Sequence, residues 1–217
     1  MAYIEIQHVS KTLKKQKVLD DICMEMDQGN IYGIVGRNGS GKSVLMKSIC
    51  GLLVPDEGTI WVNGKRVGKD VDFPENTGAL IEQCNFVPYM SGIKNLEMLA
   101  KINKKIGRQE IKRNMEMVGL SPDSKKWVYG YSLGMKQRLA LAQAFMEDPE
   151  VLILDEPMNS LDSEGVALVR DILKNKKEEG KLVILSSHYK EDIDYLCDHV
   201  FLMEAGMIKN DKQTITG

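Results

Sequence analysis

A glycine-rich segment, GRNGSGKS at residues 36–43, most constrains what this chain can fold into. It fits the spacing G-x-x-x-x-G-K-[ST] and lies between an apolar run at residues 31–35 and a helical pattern from about residue 42 to residue 50. Glycines let successive backbone N–H groups turn toward one anion, and the start of the next helix adds partial positive charge. The segment therefore predicts a strand–loop–helix unit that binds phosphate, against the alternative of a glycine-rich turn without a ligand.

The residue types of this loop predict separate roles. We expect the Lys42 ammonium group to reach the β- and γ-phosphates of ATP, and the Ser43 hydroxyl to contact Mg²⁺. The other positions would contact the nucleotide through the backbone or through adjacent side chains. The predicted nucleotide contacts in this region are Gly36, Arg37, Asn38, Gly39, Ser40, Gly41, Lys42, Ser43 and Val44.

The composition excludes several classes of protein. The net charge is -2 over 217 residues, so nothing resembles the basic surface of a nucleic-acid-binding domain, and we expect no nucleic-acid partner. The four cysteines form no C-x-x-C pair, so we expect neither a zinc site nor a disulfide framework. No stretch has the roughly 18 uncharged apolar residues that would cross a bilayer, and Glu5 interrupts any N-terminal signal sequence. A role at a membrane would therefore require a partner.

Period-two alternation at residues 3–9 and 22–26, and a turn-flanked run at residues 59–62, predict strands of a small antiparallel β subdomain. Residues 78–82 predict a further short strand. The C-terminal residues 200–208 predict a terminal hairpin.

Helical periodicity occurs at residues 95–104 and 108–118, and Ser132 begins a third helix that would end near residue 147. These segments predict a helical insert at about residues 84–147. A further helix at about residues 163–179 precedes the strand that leads to His188.

An apolar run at residues 151–154 is typical of a strand that is buried on both faces of a parallel sheet. It ends in Asp155 and Glu156, at the edge where open α/β sheets bind ligands. We expect Asp155 to hold Mg²⁺, directly or through water, and Glu156 to orient and partly deprotonate the water that attacks the γ-phosphate. The alternative is a pair of acids that simply begin a loop.

Four motifs in this order resemble the ATP-binding cassette (ABC) ATPase family over nearly the whole chain. They are residues 36–43, the segment SLGMKQR at residues 132–138, the Asp-Glu-Pro at residues 155–157, and Ser187-His188. The resemblance implies an α/β fold: a P-loop NTPase with a RecA-like core, an antiparallel β subdomain and a helical insert. Residues 1–217 would form one such domain.

The resemblance also implies roles for single residues. Ser132 and Gly134 match the signature motif, which closes over the γ-phosphate bound to a second copy of the chain, although Ser132 alone would be an ordinary helix N-cap. Asp162 resembles the D-loop residue that supports the interface between the copies. His188 matches the histidine that bonds the γ-phosphate and holds the attacking water with Glu156, so Lys42, Glu156 and His188 form the predicted catalytic set.

The sequence departs from the usual family pattern at one metal position. Glu82 occupies the place of the glutamine that contacts Mg²⁺ and senses the membrane partner, and Gln83 takes that place if the register shifts by one residue. A glutamate here, together with the segment at residues 132–135, resembles the ATPases of bacitracin resistance and lantibiotic immunity.

A second departure concerns the base of the nucleotide. The family commonly stacks an aromatic residue on adenine, but Leu13 occupies that position, and with Val18 it offers apolar contact without π-stacking. We therefore expect weak discrimination between ATP and GTP.

These features predict an ATP-hydrolysing subunit that dimerises head to tail on ATP and drives a separate membrane permease from the cytoplasmic face. The groove near residues 82–95 would contact the permease. The glutamate-type resemblance favours export of an antimicrobial peptide or a similar compound. The alternative is a soluble ABC ATPase that remodels a protein complex, of the iron–sulfur-assembly type.

Overall fold

The computed structural model of the chain describes residues 2–82 and 85–213, with side chains up to residue 209. The strands in these ranges are β1 (Ile4–Leu13), β2 (Gln16–Met26), β3 (Ile31–Val35), β4 (Glu57–Val62), β5 (Lys65–Arg66), β6 (Thr77–Leu80), β7 (Val151–Asp155), β8 (Leu182–Ser186), β9 (His199–Glu204) and β10 (Met207–Gln213). The α-helices are α1 (Lys42–Ile49), α2 (Gly92–Asn103), α3 (Arg108–Met117), α4 (Leu133–Phe145), α5 (Ser163–Glu178) and α6 (Lys190–Leu196).

The N-terminal strands form an antiparallel sheet with the order β2-β1-β4-β5. This arrangement confirms the predicted antiparallel part of the fold. β1 extends to Leu13, beyond the predicted end at residue 9, because shifts of register between β1 and β2 interrupt its period-two pattern without ending the strand.

A second sheet has the order β10-β9-β3-β8-β7-β6, and its strands from β9 to β6 run parallel. Alternate residues of β7 enter two different cores: Leu152 and Leu154 pack with the helices α2–α5, whereas Val151 and Ile153 pack toward the antiparallel sheet. These four side chains are fully buried, which confirms the strand that its continuous apolar run predicted. The carboxyl ends of β3, β7 and β8 therefore lie side by side and present their following residues at one edge.

The helices α2, α3 and α4 lie between β6 and β7 in the chain and fall within the predicted insert. Their apolar residues, such as Leu96, Ile111 and Leu139, join the core on one face of the parallel sheet. α4 ends at Phe145, two residues before its predicted end. The sequence did not predict α6, which is only seven residues long and buries few apolar side chains.

Among residues 2–82 and 85–213, no helix has both the length and the apolar character needed to cross a bilayer. The alternative assignment to Gln83 lies outside the described residues.

Candidate functional site

The predicted phosphate loop connects β3 to α1 and adopts a backbone that requires glycine at two positions. Gly41, the residue before α1, has φ of 111°, which residues with side chains rarely adopt. A Cβ atom at Gly36 would lie 2.2 Å from the carbonyl oxygen of Met203. The glycines therefore let the loop lie directly against β9 and turn into the helix.

Lys42 points back into this loop. The residue is only 7% exposed, and its Nζ donates to the carbonyl oxygens of Gly36 at 2.8 Å and Arg37 at 3.3 Å. The buried Ser40 hydroxyl has no hydrogen-bond partner among the described residues. A buried ammonium group held only by carbonyls, beside an unpaired hydroxyl, fits a loop that exchanges these contacts for phosphate oxygens.

A chain of hydroxyl groups surrounds Asp155 at the end of β7. Ser43 Oγ donates to Asp155 Oδ2 at 2.5 Å, and Ser186 Oγ donates to Asp155 Oδ1 at 2.6 Å. The Glu156 backbone N–H donates in turn to Ser186 Oγ at 2.9 Å. The pairing of a serine hydroxyl with a carboxylate provides the oxygen donors that Mg²⁺ prefers, so these residues fit the metal.

Glu156 and His188 meet beside this cluster. His188 Nδ1 lies 2.8 Å from Glu156 Oε2, although the two residues are 32 positions apart. Glu156 has φ of 52°, a sparsely populated conformation for a residue with a side chain. The Gln137 side chain donates to the carbonyl oxygens of Glu156 at 3.1 Å and Pro157 at 2.9 Å, which fixes this turn.

A large open cavity of about 1310 Å³ adjoins the loop. It is lined by residues 35–40, by Ser187 and His188, and by residues of α6 and β9. Hydrogen bonds, and not the cavity, connect Ser43, Asp155, Glu156 and His188 at the edge of the parallel sheet, directly after Lys42 in the loop. Of these residues His188 alone lines the cavity.

The predicted signature residues lie in a different environment. Ser132 is exposed at the start of α4, where its Oγ accepts a hydrogen bond from the Met135 N–H at 3.2 Å. A Cβ atom at Gly134 would lie 2.8 Å from the Ser160 carbonyl oxygen, so this turn packs closely against residues 159–162. Among the described residues, no hydrogen bond joins Ser132 or Gly134 to the phosphate loop or to His188.

Asp162 is the N-cap of α5. Its Oδ1 accepts from the Gly165 N–H at 2.9 Å and from Arg138 Nη2 at 3.1 Å. These two contacts, the backbone one foremost, hold the pKa of the Asp162 carboxyl below its usual range. Arg138 also donates to the Val118 carbonyl oxygen at 3.0 Å, and so joins α3, α4 and α5.

Three further predicted positions, Glu82, Leu13 and Val18, differ in where they lie relative to the phosphate loop. Glu82 forms an ion pair of 2.5 Å with Lys47 of α1, and no described hydrogen bond joins it to Ser43 or Asp155. Leu13 lies exposed at the end of β1. The Val18 carbonyl oxygen lies only 2.6 Å from the position of a Cβ atom at Gly41, so the backbone of Val18 contacts the phosphate loop.

Sequence reasoning missed Ser186, Gln137 and Arg138. Ser186 is a small polar residue at the end of an apolar strand, and its position beside β7 follows only from the sheet order. Gln137 and Arg138 lie within the segment SLGMKQR, in which Ser132 and Gly134 alone were assigned roles. The sequence signal for both residues is their position in the second turn of α4. From there their side chains reach the loops at Glu156 and Asp162.

Comparison with known proteins agrees with this geometry. Residues 19–159 match the ABC transporter family. The chain is 42% identical to the uncharacterized ABC transporter ATP-binding protein YybJ of Bacillus subtilis, covering 98% of this chain and 97% of that protein. It is 36% identical to the bacitracin transport ATP-binding protein BcrA of Enterococcus faecalis (94% and 67% covered) and 31% identical to the lantibiotic transport ATP-binding protein SrtF of Streptococcus pyogenes (97% and 90% covered).

A solved dimeric ATP-binding cassette in a post-hydrolysis state, bound to ADP and Pi, has the same fold. The TM-score is 0.88 at 20% identity, over 99% of this chain and 100% of that one. The resemblance to the bacitracin and lantibiotic branch is likewise confirmed. The chain belongs to the ABC transporter family and is an ATPase, the nucleotide-binding subunit of such a transporter.

Proposed function

We propose that this ATPase works as half of a head-to-tail dimer and transmits ATP hydrolysis to a separate membrane permease. One observation carries the proposal. A single chain gathers Lys42, Asp155, Glu156 and His188 at one edge, whereas Ser132 is exposed at a helix start without contact to them.

Binding of ATP begins with an exchange of partners in the phosphate loop. Lys42 would leave the carbonyls of Gly36 and Arg37 for the β- and γ-phosphate oxygens, and the Ser40 hydroxyl would gain its missing acceptor. Ser43 and Asp155 would hold Mg²⁺, which neutralises charge on the phosphate oxygens. The N–H groups at the start of α1 favour the same negative charge.

Glu156 is the proposed general base for hydrolysis. Its carboxylate accepts a proton as the water oxygen bonds to the γ-phosphorus and the bond to the β–γ bridging oxygen breaks, giving ADP and phosphate. His188, only 2.8 Å from Glu156, restricts rotation of this carboxylate. The turn at Glu156 is further fixed by Ser186 and Gln137, so the base is positioned before the substrate arrives.

The second copy would complete each site. The exposed start of α4 presents unpaired N–H groups and the Ser132 hydroxyl, a combination that binds anions. The dimeric cassette with the same fold supports closure over the nucleotide by a second copy.

The permease would dock on an aromatic surface made of Tyr89, from the groove predicted at residues 82–95, together with Trp127 and Tyr129. Tyr89 contacts both other rings, with centroids 5.7 and 6.0 Å apart, yet all three side chains are exposed, Tyr129 by 71%. Clusters of exposed tyrosine and tryptophan are enriched at protein interfaces. A cytoplasmic segment of the permease on this surface would hold the chain at the inner face of the membrane.

The cargo is proposed from the relatives. BcrA and SrtF are named for bacitracin and lantibiotic transport, so we propose export of an antimicrobial peptide or a similar compound. A soluble ABC ATPase of the iron–sulfur-assembly type is the rival. Purification of the tagged chain from its own membranes distinguishes them, because a multi-spanning protein should copurify. Recovery of a soluble assembly in its place would contradict the proposal.

A variant of the aromatic surface sharpens this test. Tyr129→Glu should release the membrane protein, whereas Phe73→Glu, at an exposed aromatic outside the described ring contacts, should retain it. Equal retention by both variants would contradict docking on this surface.

The shared site is tested by complementation. Ser132→Asp keeps a helix cap but places negative charge against the γ-phosphate, so turnover should fall at least about 100-fold. Ser132→Asn keeps the cap without the charge and is the matched control. Lys42→Ala should also be inactive. In an equal, random mixture of Lys42→Ala and Ser132→Asp, half of the dimers contain one chain of each kind. One of the two sites in such a dimer carries both substitutions and the other carries neither, so about a quarter of the turnover should return.

Two outcomes would contradict a site built from two copies. Wild-type turnover by Ser132→Asp would remove this residue from the site. The mixture could also stay as inactive as its components under conditions where the wild-type chain turns over. This result would show that Lys42 and Ser132 of one chain serve the same site.

A further inference from the structure

His8, Asp21 and Cys23 form a compact cluster on the solvent face of the antiparallel sheet. Their potential ligand atoms all lie within 4.8 Å of one another. His8 Nδ1 is 2.7 Å from Asp21 Oδ1 and 3.6 Å from Cys23 Sγ. The nucleotide site uses none of these residues, and the sequence pattern did not predict the cluster because its members come from two strands.

Two β-bulges bring these side chains together. Between the paired positions Ile6–Met24 and Val9–Ile22, β1 has two residues, including His8, where β2 has only Cys23. The next interval reverses the count, so that two residues of β2, including Asp21, lie opposite one residue of β1. Each bulge turns its extra side chain outward while Val9 and Ile22 between them remain fully buried.

The backbone at both bulges is left-handed, with φ of 50° at His8 and 51° at Asp21. Histidine and aspartate are among the residues that tolerate this conformation better than most. The Asp21 N–H is held by the Ser10 hydroxyl at 3.1 Å, and the His8 N–H donates to Cys23 Sγ at 3.3 Å. The positions of the three ligand groups are therefore set by the sheet, although the side chains themselves are exposed.

The distances suit a small tetrahedral cation. Zn–N bonds of about 2.0–2.1 Å and Zn–S bonds of about 2.3 Å place nitrogen and sulfur ligands about 3.6 Å apart in a tetrahedron. The observed Nδ1–Sγ distance is 3.6 Å. The carboxylate of Asp21 would have to retreat from His8 by about 0.7 Å to reach a tetrahedral N–O spacing, and its 68% exposure leaves it free to rotate.

The charge around the cluster favours a cation. Glu5 and Glu25 lie directly opposite each other on β1 and β2, and both line the same depression of about 490 Å³ as His8 and Cys23. Like charges directly across two strands destabilise a sheet, and a bound cation relieves that repulsion.

We propose that His8, Asp21 and Cys23 form a site for a thiophilic divalent cation of the zinc type. A thiolate with an imidazole selects such metals over Mg²⁺ or Ca²⁺, and the carboxylate completes three ligands with a fourth position open to water. The bound ion joins β1 to β2 across the two bulges. The simpler interpretation is an exposed His–Asp ion pair, which binds no metal and contributes little to stability.

Titration of the full-length reduced chain with Co²⁺ tests this site, because a cobalt–thiolate bond gives a charge-transfer absorption that oxygen ligands do not give. We expect the band to saturate at one equivalent and to disappear when Zn²⁺ is added. Cys23→Ser should abolish the band. His8→Asn and Asp21→Asn preserve residues that tolerate a left-handed backbone, and each should weaken metal binding by more than about tenfold, since even outer-shell partners of metal ligands cost 10–100-fold.

Two control variants test whether the cobalt–thiolate band comes from this cluster and not from another cysteine or from the Mg²⁺ site. Cys84→Ser retains the cluster, and Asp155→Asn removes only the proposed Mg²⁺ ligand, so both should keep the cobalt–thiolate band. A second measurement is the midpoint of thermal unfolding, which Zn²⁺ should raise in the wild type but not in Cys23→Ser. Absence of the band, or a band that survives in Cys23→Ser, would leave only the His–Asp ion pair and overturn the proposal. Neither readout depends on nucleotide hydrolysis.

Discussion

The edge that carries the phosphate loop and the surface that carries Ser132 differ in how completely one chain satisfies their polar groups. At the first, Lys42 has two carbonyl acceptors, Asp155 has two hydroxyl donors, and Glu156 meets His188. At the second, the one described hydrogen bond of the Ser132 hydroxyl is to the Met135 N–H in the first turn of its own helix, and the following residue, Leu133, is 67% exposed.

This difference supports the proposed division of the site between two copies of the chain. The residues proposed to cleave the phosphate bond are preorganised and need no partner to take their positions. The residues proposed to cover the nucleotide stay at the surface, because their proposed ligand belongs to the other copy. Arg138 and Gln137 connect the two regions, since both lie on α4 and bond to the loops at Asp162 and Glu156.

The largest expected effect is at the preorganised edge. Glu156→Gln keeps the shape of the side chain but removes the proposed base, and loss of a general base typically costs 10²–10⁴-fold in rate. We therefore expect turnover to fall by about 10²–10⁴-fold with ATP affinity unchanged, and ATP to accumulate on a stable dimer. Steady-state hydrolysis, nucleotide binding and sedimentation measure the three quantities. Turnover near that of the wild type would exclude Glu156 as the base.

The connection between the two regions is tested by Arg138→Met. This change leaves the Val118 carbonyl without its donor and removes the ion pair to Asp162, and such losses cost about 1–3 kcal/mol for partly buried groups. We expect the free energy of unfolding in urea to fall by about that amount, with ATP affinity unchanged and turnover reduced. Arg113→Met, which removes an exposed pair with Glu110, is the control and should change stability little. Equal effects of the two variants would show that α4 is not fixed through Arg138.

The fold was largely predictable where burial has one simple period. The continuous apolar residues of β7 and β8 and the alternation in β2 each identify a strand, because a face or both faces of that strand are dry. The loop at residues 36–43 was predictable from its glycines, since few residue types fit a backbone like that of Gly41.

The parts that sequence reasoning missed depend on neighbours from distant segments. Ser186 contacts Asp155 only because β8 lies beside β7, and the sheet order is not written in either strand. The bulges at His8 and Asp21 break the period of two, so alternation alone ends β1 too early and separates residues that are close in space. The expectation that the cysteines form no metal site stays a prediction. It followed from spacing along the chain, which does not record the contact of Cys23 with His8 across two strands.

A smaller effect is expected at the far end of α4, away from both site surfaces. Asp148 pairs with Lys176 at 3.0 Å and Lys181 at 3.4 Å. Partial burial raises the pKa of the Asp148 carboxyl, but the two lysines outweigh it and hold that pKa below its ordinary value of 3.8. A depressed folded-state pKa stabilises the fold above the unfolded value, and this contribution disappears as the pH falls through the folded value.

Asp148→Asn should therefore lower the free energy of unfolding at pH 7 by at most about 1 kcal/mol, because the carboxylate is mostly exposed. The difference from the wild type should shrink as the pH falls below about 4. Urea unfolding at pH 7 and at a pH below about 4 measures this difference. Asp171→Asn, at an exposed aspartate without a described ion pair, is the control. A difference that grows in acid would contradict the assigned sign.

The smallest expected effect is the difference in kcat/KM between ATP and GTP. It depends on the residues that would contact the base, and not on the phosphate loop. The phosphate loop contacts groups that ATP and GTP share, whereas the hairpin at residues 13–18, LKKQKV, offers no aromatic ring to the base. One unshared hydrogen bond is worth only about 0.5–1.5 kcal/mol, so kcat/KM for the two nucleotides should agree within about tenfold. Leu13→Tyr adds a ring that stacks on either purine, and should lower KM for both by up to about tenfold without changing their ratio. Competition between the nucleotides measures the ratio, and a strong preference of the wild type for ATP would mean that the base is read by residues other than Leu13 and Val18.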